Sequence, residues 1–216
     1  MAELIVLRHA QASFGADDYD RLSDLGHRQS VLAGQALAEA GWSPERIVTG
    51  TLKRHDETLR SMGFTAPPER HAGFNEYDFH DLLSVRFNGQ VPEAVRADRK
   101  THFRTLRETL RDWQGGGLAG ARESWGDFVA RVAAARDHAT RPGAERVLVI
   151  SSGGAIGQLV AATLGAAPEQ MIALNLQVKN TSLTRFIFSP RAFYLHEFNA
   201  VPHLMARDRA QYLSYS

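Results

Sequence analysis

Leu4-Ile5-Val6-Leu7-Arg8-His9-Ala10 is a short aliphatic run that ends in an arginine and a histidine. Four consecutive aliphatic residues read as a strand buried on both faces, the signature of a parallel sheet. In an open α/β fold the residues that follow such a strand emerge at the carboxyl edge of the sheet, where active sites are built. Arg8 and His9 emerge there together. A guanidinium offers a planar fork to phosphate, and an imidazole can serve as nucleophile or proton carrier. The rest of the chain decides whether they have partners.

Outward from this strand the pattern is regular. Gln11 to Arg21 reads as a polar loop, and Ser23 as the N-cap of a helix that Gly41 stops. Arg46-Ile47-Val48 is a second short strand running into Thr49-Gly50-Thr51, with a helix from Leu52 to Met62 ending at Gly63. Strand, helix, strand, helix predicts a mostly parallel sheet with helices on both sides, a three-layer α/β/α sandwich. The rhythm breaks between Pro67 and Gly117, which reads as a loop followed by a helical segment, Pro92 to Trp113, inserted over the sheet. Phe103, Leu106 and Leu110 fall at helical spacing there and read as core contacts. Trp125, Phe128, Val129 and Val132 mark a further helix that ends before Pro142-Gly143. Arg146 to Ile150 is the third buried strand, entering Ser151-Ser152-Gly153-Gly154 and a helix from Ala155 to Leu164. Ser182–Phe188 and Phe193–Phe198 about a tight turn predict an antiparallel edge. Residues 1–216 read as one domain, with an insertion over roughly 74–117.

Composition narrows the partners. A net charge of +1 gives no field to attract nucleic acid or an anionic membrane, so any anion site must be local. With no cysteine, thiol catalysis, thiolate metal sites and disulfides are excluded. The first residues do not read as a signal peptide, and no stretch approaches the ~18 apolar residues of a membrane span. A cytoplasmic enzyme or binding protein is expected.

Three segments converge on the same sheet edge: Arg8-His9, Thr49-Gly50-Thr51-Leu52-Lys53-Arg54, and Ser151-Ser152-Gly153-Gly154. The second places Arg54 in the first turn of a helix, where free amides and the dipole already favour an anion, and the third opens a helix in the same way. Ser152 is not a hydrolase nucleophile of the elbow type, since Ile150 stands where that motif needs glycine. Nor is Gly153-Gly154-x-x-Gly157 a dinucleotide fingerprint.

These residues resemble the histidine phosphatase superfamily, which includes the phosphoglycerate mutases. Arg8-His9-Ala10 is similar to its Arg-His-Gly signature, and Leu22-Ser23-Asp24-Leu25-Gly26 with Gln29 to its Leu-Thr-x-x-Gly-x-x-Gln segment. Thr51-Leu52-Lys53-Arg54 with Thr58 resembles Pro-Leu-x-Arg-x-x-x-Thr, and Glu123-Ser124 with Phe128 and Arg131-Val132 the family's Glu-Ser helix start. Val147 to Gly153 occupies the strand that normally ends Ser-His-Gly, and Asn180–Leu183, Asn199 and His203-Leu204 resemble the C-terminal strands and tail. The resemblance implies hydrolysis of a phosphomonoester through a phosphohistidine at His9. Arg8 and Arg54 would bind the phosphoryl oxygens with Ser152 and Gly153, and Glu76 would be the catalytic acid. It implies no metal and no cofactor. The substrate is expected to be a small phosphorylated metabolite or a phosphoprotein, and mutase activity is the less favoured chemistry.

The departures from the pattern are as informative. Ser152 stands where the second histidine is expected, Ala10 replaces a glycine, and Thr49-Gly50 replaces the more usual Ser-Ser. A serine donates one neutral hydrogen bond and brings no cation, and one lost donor costs about 10²–10³ in rate. His55, His71 and His80 are candidates to substitute for the missing histidine, though no spacing places any of them. A second reading follows: a pseudo-phosphatase that binds a phosphate ligand but has lost turnover. The apolar tail, Tyr212 to Tyr215, suits either a homodimer contact or packing on its own domain.

Overall fold

The computed structural model describes residues 1–13 and 20–215. Residues 14–19 of the expected Gln11–Arg21 loop lie outside the described part. One mixed sheet of six strands runs through the chain in the order β3-β2-β4-β1-β5-β6. Its strands are β1 (Ala2–Arg8), β2 (Arg46–Thr49), β3 (Glu69–Arg70), β4 (Arg146–Ser151), β5 (Leu183–Ser189) and β6 (Ala192–Ala200). β3, β2, β4 and β1 pair in parallel, while β5 is antiparallel to β1 and β6 to β5. The expected parallel sheet with an antiparallel edge is what forms.

The helices are α1 (Asp24–Glu39), α2 (Lys53–Ser61), α3 (Phe79–Arg86), α4 (Glu93–Ala97), α5 (Arg99–Gln114), α6 (Trp125–Thr140), α7 (Gly153–Thr163), α8 (Pro168–Asn175) and α9 (Ala206–Tyr212). They lie in two layers because successive strand side chains point to opposite faces. Ile5, Leu7, Leu148 and Ile150 pack with Ala33, Leu37 and Leu59 of α1 and α2. Leu4, Val6, Val147 and Val149 pack on the other face with Phe128, Val132 and Ile156 of α6 and α7, and with Leu106 and Leu110 of α5. Aliphatic runs of this kind are what burial on both faces requires.

Local signals place the helix ends. The Ser23 side chain accepts from Gly26 N and starts α1, and Gly41 takes φ +65° just past its end. Ser124 and Asp127 form a reciprocal capping box at the start of α6. The expected single helix Pro92–Trp113 is instead two, α4 and α5. Asp98 between them accepts from Thr101 N at 2.6 Å and caps the second. The helix after β4 starts at Gly153, two residues earlier than the expected Ala155, because the first-turn glycines are held by tertiary contacts described below. β3 and α8 were not read from the sequence: β3 is only two residues long, both charged, and α8 is a short helix of eight residues begun by Pro168.

The tail packs on its own chain. Gln29 Nε2 donates to Tyr212 O and Ser214 Oγ (2.7 and 2.8 Å), and Asn180 N donates to Ser214 O (2.9 Å).

α1 and α2 approach so closely that a Cβ on Gly34 would lie 2.1 Å from the Met62 carbonyl oxygen. Backbone cannot yield that distance cheaply. Gly34→Ala therefore destabilises the fold by about 1–3 kcal/mol, seen as a lower denaturant midpoint with an unchanged slope; a midpoint equal to wild type would contradict this packing.

Candidate active site

The parallel register of β1 and β4 sets the site. Arg8 pairs with Ser151, so His9 and Ser152 leave the sheet side by side, and His9 N donates to Ser151 O at 2.8 Å. The His9 ring is 4% exposed. Its Nδ1 lies 2.8 Å from the Ala10 carbonyl, which can only accept, so Nδ1 carries the proton and Nε2 keeps its lone pair. That lone pair accepts from Arg54 Nε at 3.2 Å. Burial first, then the nearby Arg54 and Arg8 guanidinium groups and His55, hold the imidazole well below the usual histidine range. His9 is held neutral, and a backbone carbonyl decides which ring nitrogen is left without a proton.

Surrounding residues fix this histidine from three sides. Thr58 of α2 accepts from Ala10 N at 3.0 Å and donates to Arg54 O at 2.7 Å, joining the two sequence segments in one hydroxyl. Gln29 Oε1 accepts from Gln11 N (3.0 Å), and Asn180 Nδ2 donates to His9 O (3.0 Å). Gly26 lets α1 lie against this loop: a Cβ there would sit 2.2 Å from the Gln11 carbonyl oxygen.

The cations come from opposite walls. Arg54 enters from the first turn of α2 and is paired through Nη1 with Asp20 Oδ1 at 2.7 Å. Asp20 Oδ2 also accepts from Lys53 N at 2.8 Å, which caps a helix whose own N-cap residue, Leu52, has no side chain to do so. Arg8 is held by carbonyls of the C-terminal half, donating through Nη1 to Val178 O and, at 2.9 Å, to Tyr215 O.

Glu76 arrives on the loop after β3. Both carboxylate oxygens accept from Gly154 N, at 3.0 and 3.1 Å, so the group sits on the N-terminus of α7. A Cβ on Gly154 would lie 2.1 Å from Glu76 Oε1, and one on Gly153 would lie 3.5 Å from Arg8 Nε and 2.6 Å from Asn175 Oδ1. The paired glycines leave room for the Glu76 carboxylate at Gly154 and for the Asn175 side chain at Gly153. Arg131 of α6 holds the Glu76 loop from behind, donating to the carbonyls of Gly73 (3.1 Å) and Asn75 (2.9 Å).

Arg8, His9, Arg54 and Glu76 line one cavity of about 590 Å³, together with Leu52, Tyr77, Asp78, Phe79, His80 and His102. α3 and α5, from the expected insertion, supply its outer wall. Ser152 and Gly153 are fully packed behind this lining rather than part of it. The Ser152 Oγ lies 2.8 Å from His55 Nε2, a contact that no spacing announced. Asp20, Thr58 and Arg131 were not read as site residues, although Thr58 and Arg131 sit at motif spacing; of the three candidate substitutes, His55 lies against Ser152 and His80 lines the cavity. His71 lies beside His138 outside the cavity, the rings tilted by 43° with centroids 5.2 Å apart. No group of three or more His, Cys, Asp or Glu suited to a metal ion occurs among the described residues. Nor is any described helix long and apolar enough to cross a membrane.

Three buried histidines make the fold acid-sensitive. His9 and His55 are held well below the ordinary range by burial first, and His203 is lowered to about 4 by the same cause. Each stays neutral when folded and charges near 6.5 when unfolded, so below that pH the unfolded chain binds more protons and stability falls. His203 alone removes about 2 kcal/mol by pH 5. The urea midpoint falls between pH 7.5 and pH 5; an unchanged midpoint would contradict neutral burial of these rings.

Comparison with known proteins gives the same assignment. The family description histidine phosphatase superfamily (branch 1) matches residues 4–201. The structure resembles a phosphoserine phosphatase mutant from Entamoeba histolytica (TM-score 0.65, 19% identity, 95% of this chain and 100% of that one). It also resembles a mycobacterial glucosyl-3-phosphoglycerate phosphatase (0.65, 24%, 93% and 99%). The alpha-ribazole phosphatase of Shigella flexneri is a third (0.67, 18%, 92% and 96%). At these identities the likeness is one of fold. An uncharacterized chloroplastic protein of Arabidopsis thaliana is 33% identical over 101 residues, 43% of this chain and under half (44%) of that protein's length. With nearly its whole length matched and the Arg8-His9 edge built as described, the chain belongs to the histidine phosphatase superfamily, branch 1.

Proposed function

We propose that the chain is a phosphomonoester hydrolase that works through a phosphohistidine at His9. The observation that carries this reading is the bare Nε2 of His9, left without a proton by the Nδ1 contact to Ala10 O and faced by Arg54. An incoming phosphate ester draws the Arg54 and Arg8 guanidinium groups onto its oxygens, which frees Nε2 for in-line attack. The N–P bond forms as the P–O bond to the leaving alcohol breaks, and Glu76, in its protonated form, gives its proton to that oxygen. Water then attacks phosphorus with the Glu76 carboxylate taking its proton. The N–P electrons return to Nε2 and inorganic phosphate leaves.

The cavity supports a small phosphorylated substrate: the phosphoryl end is cationic, and the outer wall of Leu52, Tyr77, Phe79, His80 and His102 is largely ring-lined. A phosphoprotein side chain is the larger alternative for the same opening. The composition supports a cytoplasmic location. The pseudo-phosphatase reading is favoured by one observation, the packing of Ser152 away from the cavity lining.

Turnover of an aryl phosphate and an alkyl phosphate decides between them. His9→Ala reduces both to background. Glu76→Gln slows the alkyl ester about 10²–10⁴-fold and the aryl ester much less, because an acidic phenol needs no proton to leave. Binding of inorganic phosphate without turnover of any ester would establish the pseudo-phosphatase instead.

A further inference from the structure

Asn180, Thr181, Asn199 and His203 have no part in the mechanism above, yet they converge on the backbone of Arg8 and His9. Residues 177–182 form the loop between α8 and β5. Within it, Val178 O accepts from Arg8 Nη1, and Thr181 N donates to Arg8 O at 3.0 Å. Ser182 O accepts from Arg8 N at 3.1 Å, and Asn180 Nδ2 donates to His9 O at 3.0 Å. One loop thus holds Arg8 by its amide, its carbonyl and its guanidinium.

The loop pays a conformational cost for this grip. Three non-glycine residues have positive φ among the described residues: Asn88, Asn199 and Thr181. Asparagine tolerates that region, whereas a β-branched residue is strained in it. Thr181, at φ +56°, is therefore the strained one, and it is fully buried. Left to itself it would relax to negative φ and swing its N–H away from Arg8 O.

His203, in the turn after β6, is what holds it. The Thr181 hydroxyl donates to Asn180 O at 2.7 Å, and a carbonyl can only accept, so its hydrogen is committed there. His203 Nε2 lies 3.0 Å from the same Oγ1 and must then be the donor. His203 Nδ1 is buried with no hydrogen-bond partner among the described residues, which is the smaller loss if it is a bare acceptor. Burial keeps the ring neutral, its pKa lowered to about 4, in accord with a single proton at Nε2. Asn199 anchors the same loop a second time, accepting from Lys179 N at 2.8 Å and donating through Nδ2 to Gln177 O at 2.7 Å.

We propose that His203 is a positioning residue for Arg8: its Nε2–H locks Thr181 in the left-handed region, and through residues 177–182 it fixes Arg8 for the phosphoryl group. His203 itself touches no substrate. This inference rests on the reading of Arg8 as a phosphate ligand of the proposed hydrolase.

Binding of inorganic phosphate and turnover of an aryl phosphate, both measured on folded protein, test it. His203→Leu weakens phosphate binding and lowers kcat/KM, each by about 10–10²-fold, the size of the strain left unopposed. His203→Gln, which keeps an N–H donor, loses much less. Adding Thr181→Gly to His203→Leu restores both quantities to within about threefold of wild type, since glycine takes positive φ without strain and keeps its N–H on Arg8 O. Adding Thr181→Ala instead recovers far less. A histidine that only filled core space would not be rescued by glycine at position 181. In the wild type, ¹⁵N NMR shows His203 neutral and protonated on Nε2, a readout that needs no variant to fold. Equal phosphate affinity in wild type and His203→Leu, a loss that Thr181→Gly leaves uncorrected, or an Nδ1-protonated His203 overturns this inference and leaves the phosphatase standing. A wild type that binds phosphate but turns over no ester overturns the hydrolase reading alone, since the binding series still tests His203. A wild type that binds no phosphate overturns both.

Discussion

The structure depends on keeping one buried imidazole neutral, and deprotonated at Nε2, next to two guanidinium groups. Such a cluster is unfavourable without an anion: burial and two cations all oppose charging the ring, and the cations repel each other. The fold holds it with fixed backbone. The Ala10 carbonyl takes the Nδ1 proton, Asp20 offsets Arg54, and carbonyls of Val178 and Tyr215 hold Arg8. A phosphate dianion would relieve that repulsion, which is the electrostatic preference the proposed chemistry needs.

Most of the supporting structure exists to bring backbone close to this cluster. Thr181 adopts φ +56°, a strained position for a β-branched residue, and its N–H donates to Arg8 O at 3.0 Å. Strain of this kind persists where the surroundings over-determine it. The sheet contributes through register: because β1 and β4 are parallel and in step, the residues after each strand are neighbours. Residues 48 and 171 positions apart in sequence thus converge through single hydroxyls and amides, those of Thr58 and Asn180.

The parts legible in sequence were those with a local cause. β1, β2 and β4 were marked by aliphatic runs, α1 by the Ser23 cap, α6 by its apolar periodicity, and the ends of α1, α2 and α7 by Gly41, Gly63 and Gly165, all with positive φ. Arg8, His9, Arg54 and Glu76 do line one cavity. What stayed hidden has a tertiary cause. β3 pairs through two charged residues and Asp20 caps α2 from 33 positions away, whereas the break at Asp98 is a local cap inside an apparently continuous helix. His55 falls at a variable position of its motif, and only the meeting of α2 with the end of β4 places it against Ser152.

The central claim is that a backbone carbonyl selects Nε2 of His9 as the nucleophile. Trapping the phosphoenzyme from a fast aryl phosphate and reading it by ³¹P NMR tests this directly, since the two phosphohistidine isomers have different shifts. Phosphorus on Nε2 of His9 is the result this structure requires. Phosphorus on Nδ1, or on any residue other than His9, would contradict it.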